Sequence, residues 1–401
     1  MQYRLNCISP ESSAEAVELL REIGTDPYGI EAMVPKMRYL CIRIGAVECK
    51  VANIIKQEML SLGADAAVSR GAVDCSAPHS DVVLMGTRKQ IERFAEKIAA
   101  QPFGLADISR ELFGLMANLE LNSWTLKTCR RTVKLGTRVQ VMGILNVTPD
   151  SFSDGGRYRR PEEAVENALA MFEAGADWID VGGESSRPGA QPVSVDEELE
   201  RVLPVIHGIV ARSGLPVSVD TCKAEVAKRA IAEGAEMVND ISALRFDAGM
   251  AEVVRQSGAA VALMHMRRTP ADMQSGDLSY ESMPGEIVRF LAERMEFAVS
   301  RGINAEGVVI DPGIGFGKSW EDNLKILRRL HEFRQVGRPV LTGVSRKSFI
   351  GRITGGEPPQ RMEGTAAAVC AAVLHGSQIV RVHDVREMVK VVRVAEAIAA
   401  S

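Results

Sequence analysis

Three polar residues close short apolar runs in the second half of the sequence: Asp220 ends PVSVD, Asn239 follows Met237 and Val238, and Asp311 ends VVID. Singly, each could be an ordinary hydrogen-bond anchor. Two carboxylates and an amide converging at the ends of neighbouring strands need a partner, because desolvating unpaired polar groups is costly. A flat heterocycle with an amidine-like N–H edge would supply that partner, accepted bidentately by a carboxylate. Further on, GVSRKSFIG and RVHDV place Ser345, Arg346, Lys347, Arg381 and His383 at the ends of two more runs. Cationic groups there, next to the start of a helix, suit an anion such as a phosphate.

Two loops complete the chemistry. NVTPDSFSDGG (146–156) puts Asn146 at the end of an apolar run, and the apolar Phe152 on an otherwise polar loop beside Asp154. GGESSRPGA (182–190) adds hydroxyls and Arg187. An apolar residue on such a loop serves as a lid that excludes water over a substrate. Two tempting motifs fail. DPGIGFGKS resembles a P-loop, but Pro312 stands where that pattern needs its first glycine. The six histidines show no HExxH and no paired-ligand spacing, so no zinc site is expected. His265, between two methionines, reads as a satisfied wall residue.

The elements that must position these residues alternate regularly. Apolar runs at Val139–Asn146, Trp178–Gly183, Pro216–Asp220, Met237–Ile241, Ala259–His265, Val308–Asp311, Pro339–Ser345 and Gln378–His383 are separated by amphipathic stretches of helical length, several ending in Gly. Eight strand–helix pairs in the 263 residues 139–401 match a (β/α)₈ TIM barrel, which typically takes about 250 and has its active site at the C-terminal ends of its strands. An open doubly wound sheet shares the alternation but not the count of eight.

Residues 1–121 read differently: apolar runs at Leu40–Ile44, Ala66–Val68 and Val82–Met85 flank helical patterns, as in a smaller α/β accessory domain. It shows no catalytic constellation, and its only histidine, His79, is placed in a loop beside Pro78. Residues 122–401 form the catalytic domain. The segment 123–138 reads as a hairpin closing the barrel's N-terminal end. EDNLKILRRLHEFRQVG reads as a single helix.

The 401 residues carry 48 Lys plus Arg against 52 Asp plus Glu, and 46% are hydrophobic, which disfavours disorder and a polyanion partner. Seven scattered cysteines without a CxxC pair suggest reduced thiols in a cytoplasmic protein. No signal-peptide pattern opens the chain and no apolar run reaches the ~18 residues of a membrane span. Neither nucleic acid nor a membrane is expected as a partner.

Taken together, NVTPDSFSDGG, GGESSRPGA, SVDTCK, ND at 239–240, LMHM, DPGIGFGK, SRKSFIG and RVHDV closely resemble the dihydropteroate synthase family, in order and each at a strand end. The resemblance covers 122–401. It implies condensation of 7,8-dihydropterin-6-ylmethyl diphosphate with 4-aminobenzoate in folate biosynthesis, by an enzyme that is a sulfonamide target and a candidate homodimer. It implies that Asp220, Asn239, Asp311 and Lys347 hold the pterin. Asn146, Arg381 and His383 would hold the diphosphate, with Asn146 also a ligand of Mg²⁺. Phe152, Asp154, Ser186, Arg187, Phe316 and Ser345 would form the 4-aminobenzoate pocket. Catalysis would fall to Asp154, Lys347, Arg381 and His383. Ser186 stands where the family commonly has threonine, which keeps the hydroxyl and loses a methyl. Two rivals are a methyltetrahydrofolate–corrinoid methyltransferase, which needs no diphosphate clamp, and a non-catalytic pterin-binding barrel, which needs no Lys347 or Arg381.

Overall fold

The computed structural model describes residues 6–10, 12–148, 160–185, 189 and 191–400. Phe152, Asp154, Ser186 and Arg187 lie outside them. The chain divides into two units, Met1–Ala117 and Asn118–Ser401, against an expected boundary after residue 121.

In the first unit, β1 (Tyr39–Glu48), β2 (Asp65–Val68) and β3 (His79–Thr87) form an antiparallel sheet in the order β1-β3-β2. Ile42, Val82, Leu84 and Ala66 point from it into a core shared with the helices Cys49–Ser61 and Arg88–Ile98. Two expectations need correcting. His79 opens β3, paired with Glu48, rather than sitting in a loop. Cys49 and Cys75 are joined as a disulfide (Cα–Cα 5.6 Å). The chain folds back so that Cys49 N–H meets the Pro78 carbonyl, a proximity that spacing does not reveal; the other five cysteines are free thiols.

The second unit opens with the hairpin β4 (Trp124–Lys127) and β5 (Thr132–Leu135). Eight parallel strands follow: β6 (Gln140–Asn146), β7 (Trp178–Gly182), β8 (Val217–Asp220), β9 (Met237–Asp240), β10 (Ala260–Met264), β11 (Val308–Asp311), β12 (Leu341–Gly343) and β13 (Ile379–Val382). They pair in sequence order, and β13 returns to β6. A parallel bridge from Ile310 to Val340 closes the ring between β11 and β12. This is the TIM barrel.

The two-residue period of each strand builds two layers. Val141, Ile179, Val219, Val238, Val261 and Ile310 face outward into a core with the surrounding helices. Met142, Trp178, Met237, Ala262, Val309, Leu341 and Ile379 gather with Trp124, Leu126 and Leu135 of the hairpin. The hairpin thus plugs the N-terminal end. Two steps further along the same strands come Asp180, Asn239, Asp311 and Arg381. The expected long helix over 321–337 instead ends at Arg328 and continues as a 3₁₀ stretch, Leu330–Val336. Leu330 and Phe333, both fully buried, share a face because residues i and i+3 eclipse in that geometry. No helix among the described residues is long and apolar enough to cross a membrane.

Candidate active site

Asp180 is the centre of the polar layer, and it lies inside the apolar run Trp178–Gly183 rather than at its end. Wholly buried between Ile179 and Val181, it accepts Arg381 Nε at 2.6 Å and Asn239 Nδ2 at 3.0 Å on one oxygen. Its other oxygen has no hydrogen-bond partner among the described residues. Arg381 Nη2 donates in turn to Asp220 at 2.8 Å. One carboxylate therefore holds two of the expected ligand-binding residues, and a guanidinium holds the third. Burial between two carboxylates leaves Arg381 firmly cationic, the ion pairs outweighing desolvation and raising its pKa.

The carboxylates that face the mouth are held far from their ordinary range. Burial pushes Asp220 up to about 7, with Asp180 and Glu198 adding to the rise and Arg381 opposing it. Burial likewise raises Asp311 to about 6, although the Gly313 N–H (2.7 Å) and the cations Lys347, Lys318 and Arg381 pull it down. Lys347 is brought down to about 8 by burial and the nearby Arg381. Its ammonium lies 4.2 Å over the Phe316 ring and has no carboxylate hydrogen-bonded to it among the described residues. Buried carboxylates and a cation without a mate are poised for a ligand that supplies both N–H donors and acceptors.

The loop after β11 carries Phe316 and bends through Gly313, Gly315 and Gly317, all at positive φ. At Gly313 a Cβ would fall 1.9 Å from the His265 carbonyl, so only glycine fits. Ser345 is buried; its hydroxyl accepts the His383 N–H at 3.2 Å and meets His383 Nδ1 at 2.9 Å. Arg346, grouped with the anion-binding cations in the sequence, is instead ion-paired to Asp384. Lys347 caps the helix Ser348–Thr354. Asn146 ends β6 opposite Gly182. The structure thus gathers Asp220, Asn239, Asp311, Lys347 and Arg381, with Ser345 and His383 joined beside them.

The family of pterin binding enzymes matches residues 142–383, a stretch that includes every described residue of this site. The chain belongs to the pterin binding enzyme family. Among the relatives of this pterin binding enzyme, the dihydropteroate synthase of Synechocystis is 45% identical over 264 residues, covering 66% of this chain and 91% of that protein. A probable bifunctional folylpolyglutamate synthase/dihydropteroate synthase of Halobacterium salinarum is 41% identical over 390 residues, covering 96% of this chain and 46% of its own. The Xanthomonas albilineans dihydropteroate synthase solved with 4-aminobenzoic acid has a TM-score of 0.64 at 46% identity, covering 70% of this chain and 99% of that one.

Proposed function

We infer that this chain is a dihydropteroate synthase, joining 7,8-dihydropterin-6-ylmethyl diphosphate to 4-aminobenzoate to give 7,8-dihydropteroate and diphosphate. The observation that carries the reading is the Asp180–Arg381–Asp220 network beside Asp311 and Lys347, in a chain 45% identical to a dihydropteroate synthase over 264 residues.

Asp311 and Asp220 would accept the N–H edge of the pterin, Asn239 would pair with its ring, and Lys347 would donate to a ring acceptor. Arg381 spends Nε and Nη2 on carboxylates, which fixes the guanidinium plane while Nη1 remains for the diphosphate. His383, oriented by Ser345, would donate to the same group. Neutralising the diphosphate makes it a good leaving group. The electron-rich dihydropterin assists its departure, and the aryl amine of 4-aminobenzoate, neutral at pH 7, attacks the methylene carbon and then loses a proton. No strong general base is required. Phe316 would flank 4-aminobenzoate, with Phe152, Asp154, Ser186 and Arg187 completing that pocket.

Mg²⁺ fits the donor set. It binds through one or two protein oxygens and takes the rest from phosphate and water, and Asn146 offers a hard amide oxygen at the end of β6. When bound, the ion would add positive charge to the leaving diphosphate. The test is diphosphate release from the dihydropterin diphosphate and 4-aminobenzoate, with and without Mg²⁺. Release that requires both organic substrates and Mg²⁺ is expected; no release in any mixture overturns the reading.

A further inference from the structure

Lys318 is a lysine ammonium enclosed in the barrel wall, only 3% exposed, and nothing in the reaction described above uses it. Its Nζ has no carboxylate within hydrogen-bond distance among the described residues. It donates instead to the carbonyls of Gly313 (2.8 Å), Phe316 (2.9 Å) and His265 (3.2 Å), and lies 2.9 Å from His265 Nδ1. We propose that Lys318 is a positioning residue of the pterin pocket, clamping the loop after β11 to the end of β10 and thereby setting Asp311, Phe316 and Lys347. This rests on the synthase reading and adds to it a residue that never touches substrate.

The charge state follows from the partners. Three carbonyls can only accept, and burial and neighbouring cations hold His265 neutral; in the tautomer protonated at Nε2 its Nδ1 is a further acceptor. A neutral amine would offer two N–H groups and turn a lone pair towards an acceptor. The ammonium is the form that satisfies this cage, although burial pulls its pKa down and Asp311 is the leading opposing charge.

A lysine kept only for packing would be replaceable by methionine, since a buried ammonium is costly. What decides is where its hydrogen bonds land. The loop holds three glycines at positive φ and has few side chains with which to fix itself. The Gly313 residue is gripped at both ends: its N–H by Asp311 (2.7 Å), its carbonyl by Lys318. The Phe316 carbonyl is gripped by the same ammonium, and the Phe316 ring lies beneath Lys347. Releasing Lys318 would loosen the carboxylate, the ring and the second lysine together.

Lys318→Met and Lys318→Arg in the full chain test this, with folding checked by thermal unfolding. The first measurement is calorimetry with a 6-hydroxymethylpterin probe; the second is steady-state kinetics. For Lys318→Met we expect at least a tenfold loss of pterin affinity and a matching rise in KM for the pterin substrate, with KM for 4-aminobenzoate within twofold. The third measurement is the pH profile of pterin binding. Asp311 is faced by Lys318 on its own loop, Lys347 beyond β12 and Arg381 on β13, and its carbonyl accepts the backbone N–H of the neutral His265 after β10. Removing one of those cations raises its pKa further, so the loss of affinity on acidification should begin at higher pH in Lys318→Met. Lys318→Arg should keep the wild-type profile. If Lys318→Met does not fold, Lys318→Gln, which keeps a donor without charge, carries the same measurements. A folded, uncharged variant with unchanged pterin affinity, or with both KM values raised alike and no pH shift, overturns the proposal. Wild-type protein that binds no pterin would instead overturn the synthase reading, and this proposal with it.

Discussion

At the N-terminal mouth of the barrel, the buried Glu236 receives Arg131 through Nε (2.8 and 2.9 Å) and Thr128 through its hydroxyl (2.8 Å). Asp177 receives Arg138 and the Val141 N–H. At the C-terminal mouth, Asp180 keeps one oxygen without a hydrogen-bond partner among the described residues, Asp220 and Asp311 are pushed up to about 7 and 6, and the Lys347 ammonium lies over the Phe316 ring. The residue types are the same. One end pairs its carboxylates Glu236 and Asp177 with arginines around a plug of Trp124, Leu126 and Leu135; the other leaves carboxylates to be completed by a ligand. The change takes two residues per strand, from Trp178 to Asp180, Met237 to Asn239, Val309 to Asp311 and Ile379 to Arg381. Buried ionisable groups left short of partners are the mark of a working site, and the fold confines them to the end where loops converge.

The sharpest way to break this comparison is to remove one arginine from each mouth. Arg381→Ala leaves Asp180 with the neutral Asn239 amide and takes the guanidinium from Asp220, so kcat/KM should fall at least about a hundredfold, about 2.7 kcal/mol. Stability should fall by about 3–5 kcal/mol, the usual cost of half a buried pair. Arg131→Ala leaves Glu236 with Thr128, so it should lower stability by about 1–3 kcal/mol and leave kcat and both KM values within twofold. Kinetics and thermal unfolding of both variants decide. Normal catalysis in the first, or impaired catalysis in the second, would erase the distinction between the mouths.

A smaller effect sets binding against stability. Asp311→Asn replaces an acceptor with a donor facing the pterin N–H edge, and should weaken pterin binding by about 2 kcal/mol. In the ligand-free protein the same change should stabilise. The folded pKa of Asp311 is raised from 3.8 to about 6. Its contribution is therefore fully present below about pH 4 and is lost as pH rises through 6. Asparagine has no charge to bury, so the Tm difference, variant minus wild type, should be more positive at pH 8 than at pH 5. Calorimetry and melting curves at both pH values check this; a difference independent of pH would mean that Asp311 is not strained in the free protein.

Much of this site was legible because a polar residue ending an apolar run is conspicuous. Asp220, Asn239, Asp311 and Arg381 were visible in that way, and the eight runs gave the barrel. Asp180 was hidden because its neighbours Ile179 and Val181 make it look like part of a buried strand. The usable signal was the two-residue period, which puts Asp180 on the same face as Trp178 and Gly182. Its partnership with Arg381, 201 residues away, has no local trace at all. Lys318 was seen only as the end of a failed P-loop, since a lysine that satisfies three carbonyls of a folded loop cannot be told from a solvated one by spacing. The Cys49–Cys75 bond was missed for a similar reason: pairing depends on how the segment between them folds back.

The smallest effect concerns where the barrel begins. The family match spans residues 142–383, the Synechocystis synthase is matched over 91% of its length by 66% of this chain, and all the described site residues lie beyond Asn118. A fragment of residues 118–401 should therefore keep kcat/KM within twofold of the full chain. A fragment of 122–401 keeps every barrel strand and every site residue as well, but it loses the Asn118 side chain, whose Nδ2 donates to the Gln335 carbonyl at 2.9 Å, and the Leu121 carbonyl that accepts Arg334. Both contacts secure the turn at Gly337, whose carbonyl accepts Trp124 Nε1 from the plug at 3.2 Å. At about 1 kcal/mol for each hydrogen bond, the shorter fragment should melt a few degrees lower than the longer one, with the same kinetics, because the loss falls at the mouth that does no chemistry. Melting curves and steady-state rates of the two fragments measure it. Equal stability would show that these four residues contribute nothing to the plug, and a folded 118–401 fragment without activity would show that residues 1–117 take part in the site.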